Sequence, residues 1–110
     1  MIVSDDDVEK ALDRLRFQAG AAAKAKAERI YLEEFRKAIK ANVMQQHLDK
    51  PVSAQEREAY SSPEYIKHLA VMRDAIEKDE LARWQMIAAQ AVIEAWRTAS
   101  ANQRIEGKFT

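Results

Sequence analysis

The longest stretch without a helix breaker, PEYIKHLAVMRDAIEKDELARWQMIAAQAVIEAWRTASANQR (Pro63–Arg104), decides the fold. It contains no glycine and, after its first residue, no proline, so nothing in it interrupts a helix. Ser62 offers a capping hydroxyl, Pro63 suits the first helical position, and Glu64 lies in the first turn. The stretch predicts one helix of about 42 residues, roughly 63 Å long at 1.5 Å per residue.

The apolar residues of this helix form two stripes, on either side of the charged run Glu77–Glu80. The first stripe comprises Tyr65, Leu69, Met72 and Ile76. The second stripe begins at Leu81 and is rotated by about a quarter turn, at 100° per residue. The two halves of the helix are therefore predicted to pack against different partners.

The second half of this helix is apolar around most of its circumference, and such a helix is buried on several sides. A chain of 110 residues with two other main helical segments can hardly supply that cover. We therefore predict self-association of the chain through this half. The predicted oligomerisation residues are Leu81, Trp84, Ile87, Ala88, Ala91, Val92, Ala95 and Trp96.

The rest of the chain also reads as helix. Ser4 precedes three aspartates, which favour a helix start, and an alanine-rich stretch follows. Gly20 weakens this helix or bends it, and we favour continuity to about residue 48. Pro51 then ends the run, and Ser53 with Glu56 has the capping-box spacing of a short helix.

The predicted fold is all-α: an elongated hairpin or bundle of two long helices plus a short connector helix, completed by oligomerisation. One domain covers residues 1–110. It consists of an N-terminal helix or bent helix pair (5–48), a connector with a short helix (49–62), a long C-terminal helix (63–104) and a tail (105–110).

Composition excludes several kinds of protein. There is no cysteine, so no disulfide framework and no thiolate zinc site is expected. No apolar run is long enough to span a bilayer and no signal peptide is recognisable, so the expected location is cytoplasmic. Glu64 and His68 could jointly contact a metal, but two ligands do not make a site. We expect no enzyme activity, no catalytic residues, no cofactor and no metal.

Basic residues concentrate in the second helical segment, where residues 24–40 hold six Lys or Arg against three Glu in a chain with 18 basic and 18 acidic residues. Cations on one face can contact nucleic-acid phosphates, and an oligomer would multiply a modest stripe. An ordinary solvated face is the alternative. The tail, with the stackable Phe109, is a second candidate, whereas Trp84 and Trp96 fit a core or an interface better than base stacking. The candidate DNA-binding residues are Lys24, Lys26, Arg29, Arg36, Lys37, Lys40, Arg97, Arg104 and Lys108.

Two segments carry a resemblance to known proteins. REAYSSPEYIKHL (Arg57–Leu69) and RWQMIAAQAVIEAWRTASANQR (Arg83–Arg104) resemble short, uncharacterised helical proteins of tailed phages, often encoded near recombination functions. The order of elements is also similar to the UvsY-type phage recombination mediators. In that family an alanine- and lysine-rich helix, a polar connector and a long helix precede a basic tail, and the long helix passes from an acidic stretch into an aromatic one.

The resemblance implies a homo-oligomer in the cytoplasm of a phage-infected host cell. It also implies non-specific binding of single-stranded DNA, with a RecA-like recombinase and single-strand-binding protein as further partners. We therefore expect a phage recombination accessory protein that promotes recombinase loading. The alternative is an oligomeric helical protein–protein interaction module, such as a phage adaptor or an inhibitor of a host protein, without nucleic-acid binding.

Overall fold

Three α-helices form the computed structural model, which describes residues 3–108. Helix α1 spans Asp5–Gln45, α2 spans Val52–Ser61 and α3 spans Pro63–Lys108. No strand occurs within this part of the chain. The all-α fold class expected from the sequence is confirmed, as are two long helices and a short connector helix.

Helix α1 begins with a reciprocal cap. The Asp7 main-chain N–H donates to Ser4 Oγ at 3.1 Å, and the Ser4 N–H donates to Asp7 Oδ2 at 3.0 Å. The helix is unbroken at Gly20, whose position faces open space. It ends at Gln45 rather than at residue 48. After Gln45, main-chain N–H groups donate to carbonyls three residues earlier instead of four, as in the 3.0 Å hydrogen bond from Gln46 N–H to the Val43 carbonyl.

Helix α2 does not start with the capping box expected at Ser53 and Glu56. Pro51 occupies the cap position without a side-chain hydrogen bond, and the helix begins at Val52, one residue before Ser53. Glu56 instead approaches Lys40 of α1, with 3.7 Å between its Oε1 and the ammonium nitrogen. Proline pre-sets the backbone for this turn, so the helix does not need the Ser53 hydroxyl.

Helix α3 begins as expected. The Ser62 hydroxyl accepts a hydrogen bond from the Tyr65 main-chain N–H at 3.2 Å and donates one to the Ala59 carbonyl at 2.7 Å. The helix continues past Arg104 to Lys108, so most of the predicted tail is helical. Phe109 lies outside the described residues.

The chain divides into two compact units. The central unit consists of residues 24–80, and the described part of the terminal unit consists of residues 3–23 and 81–108. The division within α3 falls at Leu81, where the apolar stripe of the sequence changes face. The covered row of α3 does not change face there, because the spacing of three and four that links the buried Met72 and Asp79 continues through half-buried Ala82 and Met86 to buried Ala89. Both halves of the helix pack against α1, so the predicted change of packing partner is not seen.

In the central unit, α1 and α3 run antiparallel with α2 against them. The buried apolar residues are Ala25, Val43, Ala59, Tyr65 and Met72. Tyr60 of α2 packs its ring edge against Tyr65 of α3, with ring centroids 5.3 Å apart. This core is small for 57 residues, the span of Lys24–Glu80, since no large side chain is completely buried in the part of the chain that the structure describes.

In the terminal unit, the first part of α1 and the last part of α3 are again antiparallel. Val8, Ala11 and Ala89 are buried between them. The indole N–H of Trp96 donates to Asp5 Oδ1 at 2.9 Å and ties α3 to the start of α1. Across residues 3–108, no helix combines the length and the apolar character needed to cross a membrane.

Candidate functional site

The structure pairs several cations of the predicted basic stripe with carboxylates. The Arg29 guanidinium donates from Nε to buried Asp79 of α3 and from Nη1 to Glu33 Oε1, the latter at 3.0 Å. These carboxylates, Asp79 first, raise the pKa of Arg29. Asp79, a member of the charged run Glu77–Glu80, is therefore buried as a partner of α1.

Two further lysines of the stripe are also engaged. Lys37 Nζ lies 3.0 Å from Glu34 Oε2, and Lys40 Nζ lies 4.9 Å from the centre of the Tyr60 ring. Tyr60, with a smaller contribution from Glu56, raises the pKa of Lys40. In the terminal unit, Arg97 pairs with Glu94 at 3.2 Å. Four of the nine predicted DNA contacts are thus partly neutralised: Arg29, Lys37, Lys40 and Arg97.

The other five predicted cations are exposed, and within residues 3–108 the structure gives them no ion pair. Three lie on α1 in the central unit: Lys24, Lys26 and Arg36. Two lie near the end of α3: Arg104 and Lys108. Fewer of the predicted basic residues are therefore available to contact a ligand than the sequence suggests.

An exposed aromatic pair accompanies the available cations of the central unit. The rings of Tyr31 and Phe35 are stacked, with centroids 5.8 Å apart and planes 22° apart, and Tyr31 is 60% exposed. Lys24 precedes Tyr31 by seven residues, or two turns, so it lies on the same face of α1. Tyr31, Phe35 and Val43 recur at helical spacing along α1, but of the three only Val43 is buried.

A signal for this face is present in the sequence. The spacing of seven and then four residues from Lys24 through Tyr31 to Phe35 places a cation and two rings in one row along the helix. The buried row of α1 in this unit runs instead through Ala25 and Val43. Between these two lie half-buried Leu32 and Ile39. The Tyr31 ring remains outside, whereas the Phe35 ring, 42% exposed, lies at the edge of the contact beside buried His68 of α3.

The predicted oligomerisation residues of α3 lie mostly at the surface. Leu81 is 60% exposed and Trp84 is 58% exposed, while Val92 and Trp96 are half-buried. The remaining members are also exposed: Ile87, Ala88, Ala91 and Ala95. This half of α3 therefore has one face against α1, an uncovered apolar face and a polar face.

A groove of about 550 Å³ runs along the junction of α1 and α3 in the terminal unit. Small apolar side chains form its floor: Ala11, Ala88, Ala89 and Val92. Its edges are formed by Val3 and by four charged or polar residues: Asp7, Lys10, Arg14 and Gln85. The groove opens beside the uncovered apolar face, because Ala88 belongs to both.

The residues considered for a metal do not come together as a site. His68 is buried, and its Nε2 lies 2.7 Å from the Leu32 carbonyl oxygen, which can only accept a hydrogen bond. Nε2 therefore carries the proton and serves the contact between α1 and α3. Within residues 3–108, no group of three or more His, Cys, Asp or Glu side chains is arranged to hold a metal ion.

Comparison of the chain with protein-family models, with curated proteins and with solved structures finds no match.

Proposed function

We propose that this protein is a homo-oligomeric accessory factor of phage recombination that binds single-stranded DNA without sequence preference and promotes recombinase loading. The observation that carries the proposal is the exposed Tyr31–Phe35 stack on the same helix as the unpaired cations Lys24, Lys26 and Arg36. Bases of any sequence stack on aromatic rings, and cations hold the adjacent phosphates. The phage and recombination context rests on the resemblance described above.

The proposed DNA contacts differ from the set predicted by composition. Arg29 is not among the proposed DNA contacts, because its guanidinium donates to Asp79 and Glu33 within the central unit. The main contacts become Lys24, Tyr31 and Phe35, with support from Arg36. Lys26 lies about half a turn around α1 from this row, so it keeps a secondary role. Lys37, Lys40 and Arg97 keep a secondary role, because a phosphate would have to compete with their carboxylate partners.

Oligomerisation supplies the affinity that one copy lacks. Three available cations on one helix give few phosphate contacts, so binding by a single copy is weak and strongly dependent on salt. Several copies on one strand combine their contacts, because each later contact is made at a high local concentration. The proposed partners are single-stranded DNA, further copies of this chain, a RecA-like recombinase and single-strand-binding protein. The proposed place of action is the host-cell cytoplasm, and no catalytic step is assigned.

Fluorescence anisotropy with a labelled oligo-dT strand at low and at physiological salt tests the proposal. The unmodified protein should bind at low salt and lose affinity steeply as salt rises. Replacing Tyr31 and Phe35 together by alanine should weaken binding by more than about 10-fold, since stacking contributes about 1–3 kcal/mol per base. Absence of binding at low salt would refute the proposal.

Two variants with the same change in net charge distinguish DNA binding at one face of α1 from general electrostatic attraction. The double change Lys24→Glu with Arg36→Glu alters the proposed face. The double change Arg57→Glu with Arg73→Glu alters the net charge of the protein by the same amount, but on α2 and α3. All four side chains are exposed. Only the first variant should lose most of its binding; equal losses would show that no particular face of α1 binds the strand.

A second candidate is an oligomeric helical protein–protein interaction module without nucleic-acid binding. The observation in its favour is that apolar side chains of the central unit are exposed beyond the aromatic pair, with Ile66 at 56% and Ile30 at 45%. This reading shares the self-association but assigns a protein ligand to the helices. An oligomer that binds no oligo-dT at low salt would favour it over the first candidate.

A further inference from the structure

The groove of the terminal unit continues into exposed apolar surface on both of its helices. On α1, the edge residues Asp7, Lys10 and Arg14 follow one another at spacings of three and four, and Phe17 is the next position in that row. Phe17 is 73% exposed. On α3, Leu81 and Trp84 lie on the uncovered face that Ala88 shares with the groove.

We propose that a second copy of this chain occupies the groove, in a dimer with two-fold symmetry whose axis passes near Lys10 and Ala11. The terminal units of the two copies would form a four-helix arrangement around the alanine floor. This inference deepens the proposed function, from which it takes only that the chain self-associates. It adds the edge of α1, including Phe17, to the predicted contact surface of α3.

The exposed area supports an occupant of this size. The chain exposes 8446 Å² of surface, whereas about 6200 Å² is expected for a folded monomer of 12.6 kDa. The excess of roughly 2200 Å² per copy is larger than the 800 Å² or so that each partner contributes to a standard interface.

The side chains around the groove suit another copy of the same surface. The floor is made of alanine and valine, so side chains of a neighbouring helix can enter between the ridges of α1 and α3. Large apolar side chains stand beside it, namely Phe17, Leu81 and Trp84. Small and large residues on one surface are complementary when that surface meets itself in the reversed direction.

Charge complementarity also favours a second copy over a partner of one sign. Asp7 and Arg14 lie two turns apart on the same edge, with Lys10 between them. In a two-fold contact centred near Lys10, Asp7 of one copy faces Arg14 of the other, and this pairing occurs twice. Lys10 is 3.0 Å from Asp6 of its own chain, which offsets the approach of the two lysines. Equal numbers of basic and acidic residues remove net repulsion between copies.

Mass in solution without DNA is the first measurement, made by sedimentation or light scattering at micromolar concentration. The unmodified protein should be a dimer or a multiple of it. Ala88→Glu places a carboxylate in the groove and should weaken association by about 100-fold or more. Gln90→Glu, on the polar face of the same helix, should leave the mass unchanged. Both positions are exposed, so both variants should keep their circular dichroism.

The absence of native cysteine allows a second, geometric measurement. Lys10→Cys places a thiol near the proposed axis and should give a disulfide-linked dimer under mild oxidation. Glu9→Cys, one residue away and about 100° around α1 from Lys10, outside the row of groove-edge residues, should give none. A monomer at micromolar concentration would overturn the inference. So would a larger mass in which Lys10→Cys fails to cross-link or Glu9→Cys cross-links equally well. None of these outcomes depends on DNA binding, which the oligo-dT experiment tests separately.

Discussion

His68 of α3 donates a hydrogen bond from Nε2 to the main-chain carbonyl of Leu32 in α1, at 2.7 Å. The imidazole is buried, and its ring centre lies 5.8 Å from that of Phe35. A buried hydrogen bond between residues 36 positions apart in sequence fixes the register of the two helices in the central unit. The contact therefore makes His68 a structural residue.

Replacing His68 by phenylalanine should lower the free energy of unfolding by about 1 kcal/mol, because the ring is kept but the donated hydrogen bond is lost. Urea unfolding followed by circular dichroism at fixed protein concentration measures the change. The same substitution at His47, which is less buried, is the control and should cost less. Equal effects at both positions would contradict the structural role of the Leu32 contact.

Asp79→Ala should lower the free energy of unfolding by about 2–3 kcal/mol, because it leaves the Arg29 guanidinium inside the fold without its main partner. Asp74→Ala removes the carboxylate of an exposed pair with Arg73 and should cost about 0.5 kcal/mol or less. Thermal unfolding of the two variants side by side makes the comparison. Similar stabilities would mean that the Arg29 contact contributes no more than a surface ion pair.

Ser62→Ala should destabilise the protein by about 1–2 kcal/mol, because the Tyr65 main-chain N–H loses its acceptor at the start of α3. The neighbouring Ser61 is exposed, and its hydroxyl donates to the Arg57 carbonyl within α2. Ser61→Ala should therefore change stability by less than about 0.5 kcal/mol. Denaturant midpoints distinguish the two, and a larger loss for Ser61→Ala would be the contrary result.

The two tryptophans should behave differently. Trp84 is 58% exposed on the uncovered face of α3, so Trp84→Ala should weaken self-association while preserving helicity. Trp96 donates to Asp5, so Trp96→Phe should instead lower stability, by about 0.5–1 kcal/mol, with little effect on mass. Sedimentation and thermal unfolding of both variants make the test. A Trp84→Ala protein with unchanged mass at all concentrations would argue against that face.

Stability should fall in acid. Hydrogen bonding from the Ser4 main chain, and then from its side chain, lowers the pKa of Asp7, and Lys50 lowers the pKa of Glu58. A carboxyl group whose pKa is lower in the fold stabilises it above the pKa of the unfolded chain, and this stabilisation is lost as pH falls through the folded pKa. The free energy of unfolding should therefore decrease from about pH 5 to about pH 2. Asp7→Asn should flatten the profile, and an unchanged slope would contradict this origin.

Local signals were sufficient for the helices. Ser4 and Ser62 mark the starts of α1 and α3, and Pro51 precedes α2, as capping chemistry and proline geometry predict. The apolar stripe that begins at Leu81 did not predict the packing, because most of it is exposed while the covered row of α3 continues through Ala82, Met86 and Ala89. The Ser53 capping box failed, since a match in spacing does not reveal that Pro51 already starts the helix.

The sequence by itself therefore determined an all-helical chain with two long helices and a short connector helix, because caps and breakers act over a few residues. Only the tertiary structure decided which charges are available. Arg29 and Asp79 are 50 residues apart in sequence, and their pairing depends on how α1 and α3 align. The surroundings of Tyr31 and Phe35 were decided in the same way. The row of α1 through Ala25 and Val43 faces α3, which leaves Tyr31 60% exposed and places Phe35 at the edge of the contact, beside His68.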